Sequence, residues 1–159
     1  MTDLALLEAK ARVKAELARM GGAREVEPLL DFVPRITPRF HRPDHLRVIS
    51  ELFNRARTES VWACISVPPR HGKTELLLHG IAWTLKHTPA REIGYVSYEA
   101  SIARAKSRLA RDYAGTAGVT LRDDANSLHE WLTPAGGGLR SGGIGGPLTG
   151  HGFGILVID

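Results

Sequence analysis

The sequence predicts an α/β fold in which a mostly parallel sheet is flanked by helices. Three observations carry that prediction. From residue 61 onward, apolar runs of strand length alternate with segments of helical periodicity. A Gly-Lys-Thr triplet, Gly72 to Thr74, falls where the first such run meets the first such helix. The apolar run "GILVI" is then followed by an acid, Asp159. Strand, helix, strand, helix in that order implies right-handed crossovers.

The elements follow in order. Residues 3 to about 20 predict a helix: Leu4, Leu7, Ala11 and Leu17 keep near-helical spacing, Thr2 is a fit N-cap and Gly21 a stop. Residues 1–27 are expected to form either an appended arm that packs on the domain or a partner, or a plain surface helix, ahead of a domain over 28–159. Pro28, Pro34, Pro38 and Pro43 predict a wrapping segment without long regular elements. A helix is expected after Pro43, with Leu46, Ile49, Leu52 and Phe53 on one face. "VWACISV" (61–67) reads as a strand buried on both faces, "TELLLHGIAWTLKHTP" (74–89) as a helix, and "IGYVSY" (93–98) as a second strand. A helix at 101–115 stops at Gly115. "HEWLT" and "GLRSGG" around a "PAGG" turn suggest a hairpin, and "GILVI" (154–158) a last buried strand. Roughly half of residues 136–154 are glycine, but a flexible linker would not lead into so apolar a strand.

Composition narrows the class. A chain of 159 residues, 43% hydrophobic, holds one domain with a real core. A net charge of +4 permits a polyanionic partner without requiring one. Cys64 is the sole cysteine, which excludes an internal disulfide and fits a reducing compartment. No stretch approaches the ~18 apolar residues of a membrane span, and the N-terminus carries no cleavage signal. A cytoplasmic protein without membrane association is the expectation.

The chemistry centres on "VPPRHGKTE", Val67 to Glu75. A phosphate-binding loop reads Gly, four residues, Gly-Lys-Ser/Thr, between a strand and a helix. Gly72, Lys73 and Thr74 fit, while Val67 stands at the first glycine position. Such a loop aims backbone N–H groups and a helix dipole at an anion. Pro68 and Pro69 have no N–H, so the cradle falls to Arg70, His71, Gly72, Lys73, Thr74 and Glu75. Lys73 is placed for the terminal phosphates, Thr74 for Mg²⁺, and Asp159 as the acidic partner of that ion. The alternative is a surface Gly-Lys-Thr with no ligand.

Residues 28–159 resemble the ATPase domain of large terminase subunits, the DNA-packaging motors of tailed bacteriophages. The likeness rests on "PLLDFVPRITPRFHRPDHLRVISELF", "VPPRHGKTELL", "YVSYEASIARAKSRL" and "GGIGGPLTGHGFGILVID". The resemblance implies a RecA/ASCE-like P-loop NTPase fold, ATP and Mg²⁺ as cofactors, and catalytic roles for Lys73, Arg70 and Asp159. Arg70 matches an arginine thought to sense the terminal phosphate, although other branches carry it one residue earlier. His45 matches the helix start near the adenine pocket, with an exposed terminal histidine as the alternative. Arg104, Arg108 and Arg111 form a stripe opposite Ile102, Ala105 and Leu109, read as a solvated face, as an arginine offered to a neighbouring subunit's ATP, or as a DNA contact.

The parent motor so implied packages double-stranded DNA into procapsids in the host bacterial cytoplasm. Its partners are a small terminase subunit and a portal protein, and it works as a homo-oligomeric ring. A carboxylate after the aspartate, a coupling motif and a nuclease domain are features of the family not present in these 159 residues. The sequence thus reads as the front part of such an ATPase, binding Mg-ATP and hydrolysing it poorly, with an incomplete sheet that leaves apolar surface exposed. The competing readings are another P-loop ATPase of helicase-like type, a small-molecule kinase, for which no acceptor lid is found, and a non-catalytic truncated prophage remnant.

Overall fold

A computed structural model of the chain describes residues 26–42, 44–146, 148 and 150–159. The helix expected at residues 3–20 lies outside the described residues. Those described form α1 (Leu29–Ile36), α2 (Arg47–Arg55, after a 3-10 turn at Asp44–Leu46), α3 (Lys73–His87), β1 (Glu92–Ser97), α4 (Ala100–Thr116), β2 (Glu130–Leu132), β3 (Gly138–Gly143) and β4 (Ile155–Ile158). The strand order is β2-β3-β1-β4. β1 runs parallel to both β3 and β4, and β2 closes an antiparallel hairpin on β3 with Trp131 opposite Leu139. The fold is α/β, with a four-stranded, mixed, mostly parallel sheet packed against helices. Among the described residues no helix is long and apolar enough to cross a membrane.

α3 is the axis of the helical layer. Leu76 through Leu85 are all buried, because α1, α2 and α4 each pack against it. Gly80 lets α2 come close, since a Cβ there would collide with the Phe53 ring. α1 forms within the proline-rich stretch as a two-turn helix, although Pro34 inside it removes one backbone donor. Burial of Leu29, Leu30, Phe32 and Val33 outweighs that loss.

α4 turns a different face inward from the one its sequence suggests. Ala103, Ser107, Ala110 and Ala114 are buried, while Ala105 and Leu109 are exposed. Small side chains let the helix lie close on its neighbours, and Ser107 accepts a hydrogen bond from the indole of buried Trp131 at 3.1 Å. Size and a hydrogen-bond partner, rather than hydropathy, set the packed face.

The strand predicted at 61–67 does not form. The segment leads up to the loop without regular secondary structure, and none of its backbone groups is hydrogen-bonded to described backbone. A strand exists only through pairing. Here the segment and the edge strand β4 leave a cavity of about 190 Å³, to whose lining Val61, Ala63 and Ile65 contribute together with Ile155 to Ile158 and residues of α2 and α3. Trp62 is consequently 97% exposed and Cys64 exposed.

Helices cover one face of the sheet, and Phe153 and Leu148 lie against Gly94 and Gly142 on the other. Ile93, Tyr95, Leu139, Trp131 and Val157 turn towards the helices and are buried. On the other face Leu156 is 52% and Ile158 71% exposed, so β4 is a half-covered strand and not the fully buried one its sequence predicts.

Candidate functional site

The loop between Val67 and α3 is built by conformation. Arg70 has a positive φ of 64°, uncommon for a side-chain-bearing residue, and Gly72 a φ of 81° at the N-cap of α3. All peptide bonds around Pro68 and Pro69 are trans. The loop rests on Phe40 and Leu46, which stand 3.4 and 3.6 Å from where a Cβ on Gly72 would be. His71 Nδ1 donates to the Pro69 carbonyl (2.9 Å), and His45 Nε2 donates to the His71 carbonyl (3.1 Å). His45 thereby braces the loop from the turn before α2. No described carbonyl or side chain accepts from the N–H groups of Arg70 through Glu75, which leaves that row of donors for an anion.

β4 delivers Asp159 to this helix start. The Asp159 N–H bonds the Val96 carbonyl at 2.9 Å, extending the β1–β4 ladder to the carboxylate. Lys73 Nζ lies 2.8 Å from Oδ1 of Asp159, and the Thr74 hydroxyl donates to Oδ2 at 2.7 Å. The Tyr95 hydroxyl donates to the same Oδ2 at 3.1 Å. Burial pushes the Asp159 carboxyl up, but the hydrogen bonds from Lys73 and Thr74, the Lys73 charge and Tyr95 outweigh it and hold the group below the usual carboxylate range. Burial and then the Asp159 charge push the Tyr95 phenol far above its ordinary value, so it remains a donor.

Beneath the loop lies a second polar cluster. The Tyr113 hydroxyl, from α4, donates to the Glu75 carboxylate. His79 is fully buried and stacks on Tyr113 with ring centroids 4.1 Å apart. Its Nδ1–H donates to the Glu75 carbonyl at 2.8 Å, which makes Nε2 the acceptor for the Thr37 hydroxyl at 2.9 Å. Burial lowers the His79 pKa, keeping the imidazole neutral. Burial, reinforced by Glu75, raises that of Tyr113.

Of the residues singled out in the sequence, Lys73, Thr74 and Asp159 meet in one place, and Arg70, His71, Gly72 and His45 surround it. Glu75 contributes its N–H to the loop, while its side chain turns into the α3–α4 interface. The arginine stripe divides. Arg108 is exposed, Arg111 donates to the Asn126 side chain at 3.1 Å, and Arg104 lines a crevice beside Tyr98, His129 and His151. Tyr95, Tyr113, His79 and Thr37 escape sequence reasoning. Only the inward parity of Tyr95 with Ile93 and Ser97 hints at it, and the β1–β4 register that brings it to Asp159 is not local information.

Asp159 and Thr74 supply hard oxygen ligands of the kind Mg²⁺ prefers. Two such ligands suit an ion that keeps water and takes oxygens from bound phosphates, and no cluster of three or more acidic, histidine or cysteine ligands exists among the described residues. Comparison with protein-family models and with curated proteins finds no match to this chain.

Proposed function

We propose that the chain binds ATP with Mg²⁺ at the 68–74 loop, as the nucleotide-binding part of a phage terminase-type DNA-packaging ATPase. One observation carries the nucleotide reading: Lys73 and Thr74 at the start of α3 both touch Asp159, a residue 85 positions away from Thr74, at 2.8 and 2.7 Å. A lysine, a hydroxyl and a carboxylate at the N-terminus of a helix are the groups a phosphate–magnesium site of the P-loop class requires. On this reading the N–H groups of residues 70–75 hold the phosphates and Lys73 leaves Asp159 for the terminal ones. Thr74 and Asp159 would hold the cation, whose charge offsets that of the phosphates. Arg70, exposed in the loop, is available to the terminal phosphate, and His45 braces the loop through the His71 carbonyl.

The assignment to DNA packaging rests on the sequence resemblance in "VPPRHGKTELL" and "GGIGGPLTGHGFGILVID", and brings with it double-stranded DNA, a portal, a small subunit and a ring. Calorimetric titration with Mg-ATP tests the nucleotide reading. The wild-type chain binds, and Lys73→Ala weakens binding by about 100-fold, the loss of hydrogen bonds to a charged group. Equal affinity in the two proteins would sink the assignment.

A further inference from the structure

Asp159 has three side-chain partners, and on the reading above a ligand claims two of them. Lys73 is needed at the phosphates, and the Thr74 oxygen at the cation. Tyr95 is the third. It sits on β1 opposite Val157 in the β1–β4 register, is 1% exposed, and so cannot follow a ligand out. Its hydroxyl has no other described hydrogen-bond partner than Oδ2 of Asp159. Packing alone does not call for that oxygen, because a phenyl ring fills the same space and a buried hydroxyl is costly unless bonded.

We propose that Tyr95 is a positioning residue that keeps the Asp159 carboxylate aimed when Lys73 departs. By clamping Oδ2 from the sheet side, it leaves Oδ1, the oxygen held by Lys73, to exchange the ammonium for a divalent cation. The role rests on the nucleotide reading. It makes a prediction that reading does not: loss of the hydroxyl weakens the response to Mg²⁺ and leaves the nucleotide's own affinity little changed.

The experiment titrates ATP into the full chain, wild type and Tyr95→Phe, over a range of Mg²⁺ concentrations and in EDTA. In Tyr95→Phe the Mg²⁺ concentration for half-maximal enhancement of binding is expected to rise about 10-fold, the effect of one hydrogen bond to a charged group. Binding in EDTA stays close to wild type, and the thermal midpoint falls only by the few degrees that one lost hydrogen bond costs. In an Asp159→Asn background, Tyr95→Phe adds nothing further, because the group it positions has lost its charge. Unchanged Mg²⁺ dependence would overturn the role, as would equal losses with and without Mg²⁺, additive losses with Asp159→Asn, or a collapsed thermal midpoint that marks Tyr95 as merely structural. A wild-type chain that binds no nucleotide would overturn the underlying reading itself.

Discussion

β4 and the segment at residues 61–67 both run up to the site, and among the described residues only β4 is hydrogen-bonded to a neighbouring strand. β4 is laddered onto β1 as far as the Asp159 N–H, so the carboxylate is placed by the sheet. The loop at 68–72 has no such strand behind it. It is placed instead from the helical side, by Phe40 and Leu46 below, by His45 across it, and by α3, which α2 and α4 hold. The two halves of one site thus owe their positions to different layers of the molecule, and perturbing each layer separately shows which half depends on it.

The largest effect is expected from Gly80→Val. The new side chain would drive into Phe53 and push α2 off α3, costing about 3 kcal/mol of stability by overpacking. Urea denaturation measures it, and a cost below ~1 kcal/mol would show that the α2–α3 contact yields easily. On the sheet side, Val157→Ala removes two buried methyl groups and should cost about 1.5 kcal/mol.

A smaller, pH-dependent change tests the helical side. Burial lowers the folded-state pKa of His79, so the unfolded chain takes up the proton first. The stability due to the neutral ring is full above the unfolded value of about 6.5 and declines as pH falls below it. Thermal midpoints should therefore drop from pH 7.5 to 5.5, and drop less in His79→Gln. His87, also lowered by burial, supplies part of the remainder. Asp159 enters only at lower pH. Its depressed pKa contributes stability that is lost as pH falls through the folded value, below the carboxylate range. The smallest effect belongs to the unpaired segment: Trp62→Ser should change stability by less than about 0.5 kcal/mol.

Local signals were legible wherever local chemistry decides. Helix α3, the hairpin around the "PAGG" turn, and β1 are where periodicity, glycine and proline put them, and the Gly-Lys-Thr triplet opens α3 with Gly72 as its N-cap. What could not be read depends on partners distant in the chain. "VWACISV" has the composition of a buried strand, yet pairing, not composition, makes a strand, and with β4 it shares the lining of a cavity instead. The inward face of α4 is not legible because alanine and serine carry little hydropathy signal, although their size suits a close helix contact. Tyr95 was invisible as a site residue for the same reason: its partner is 64 positions away, brought there by register.

The unequal cover of the two layers divides the three tryptophans. Trp83 and Trp131 are wholly buried, one in the helical layer and one at the hairpin, while Trp62 stands almost fully in solvent just before the loop. The chain therefore carries its own optical probes. Iodide will quench the red-shifted emission of Trp62 selectively, and the blue-shifted remainder will report whether the core persists. Shielding of that quenchable fraction would register any molecule that settles against residues 61–67, with no label attached.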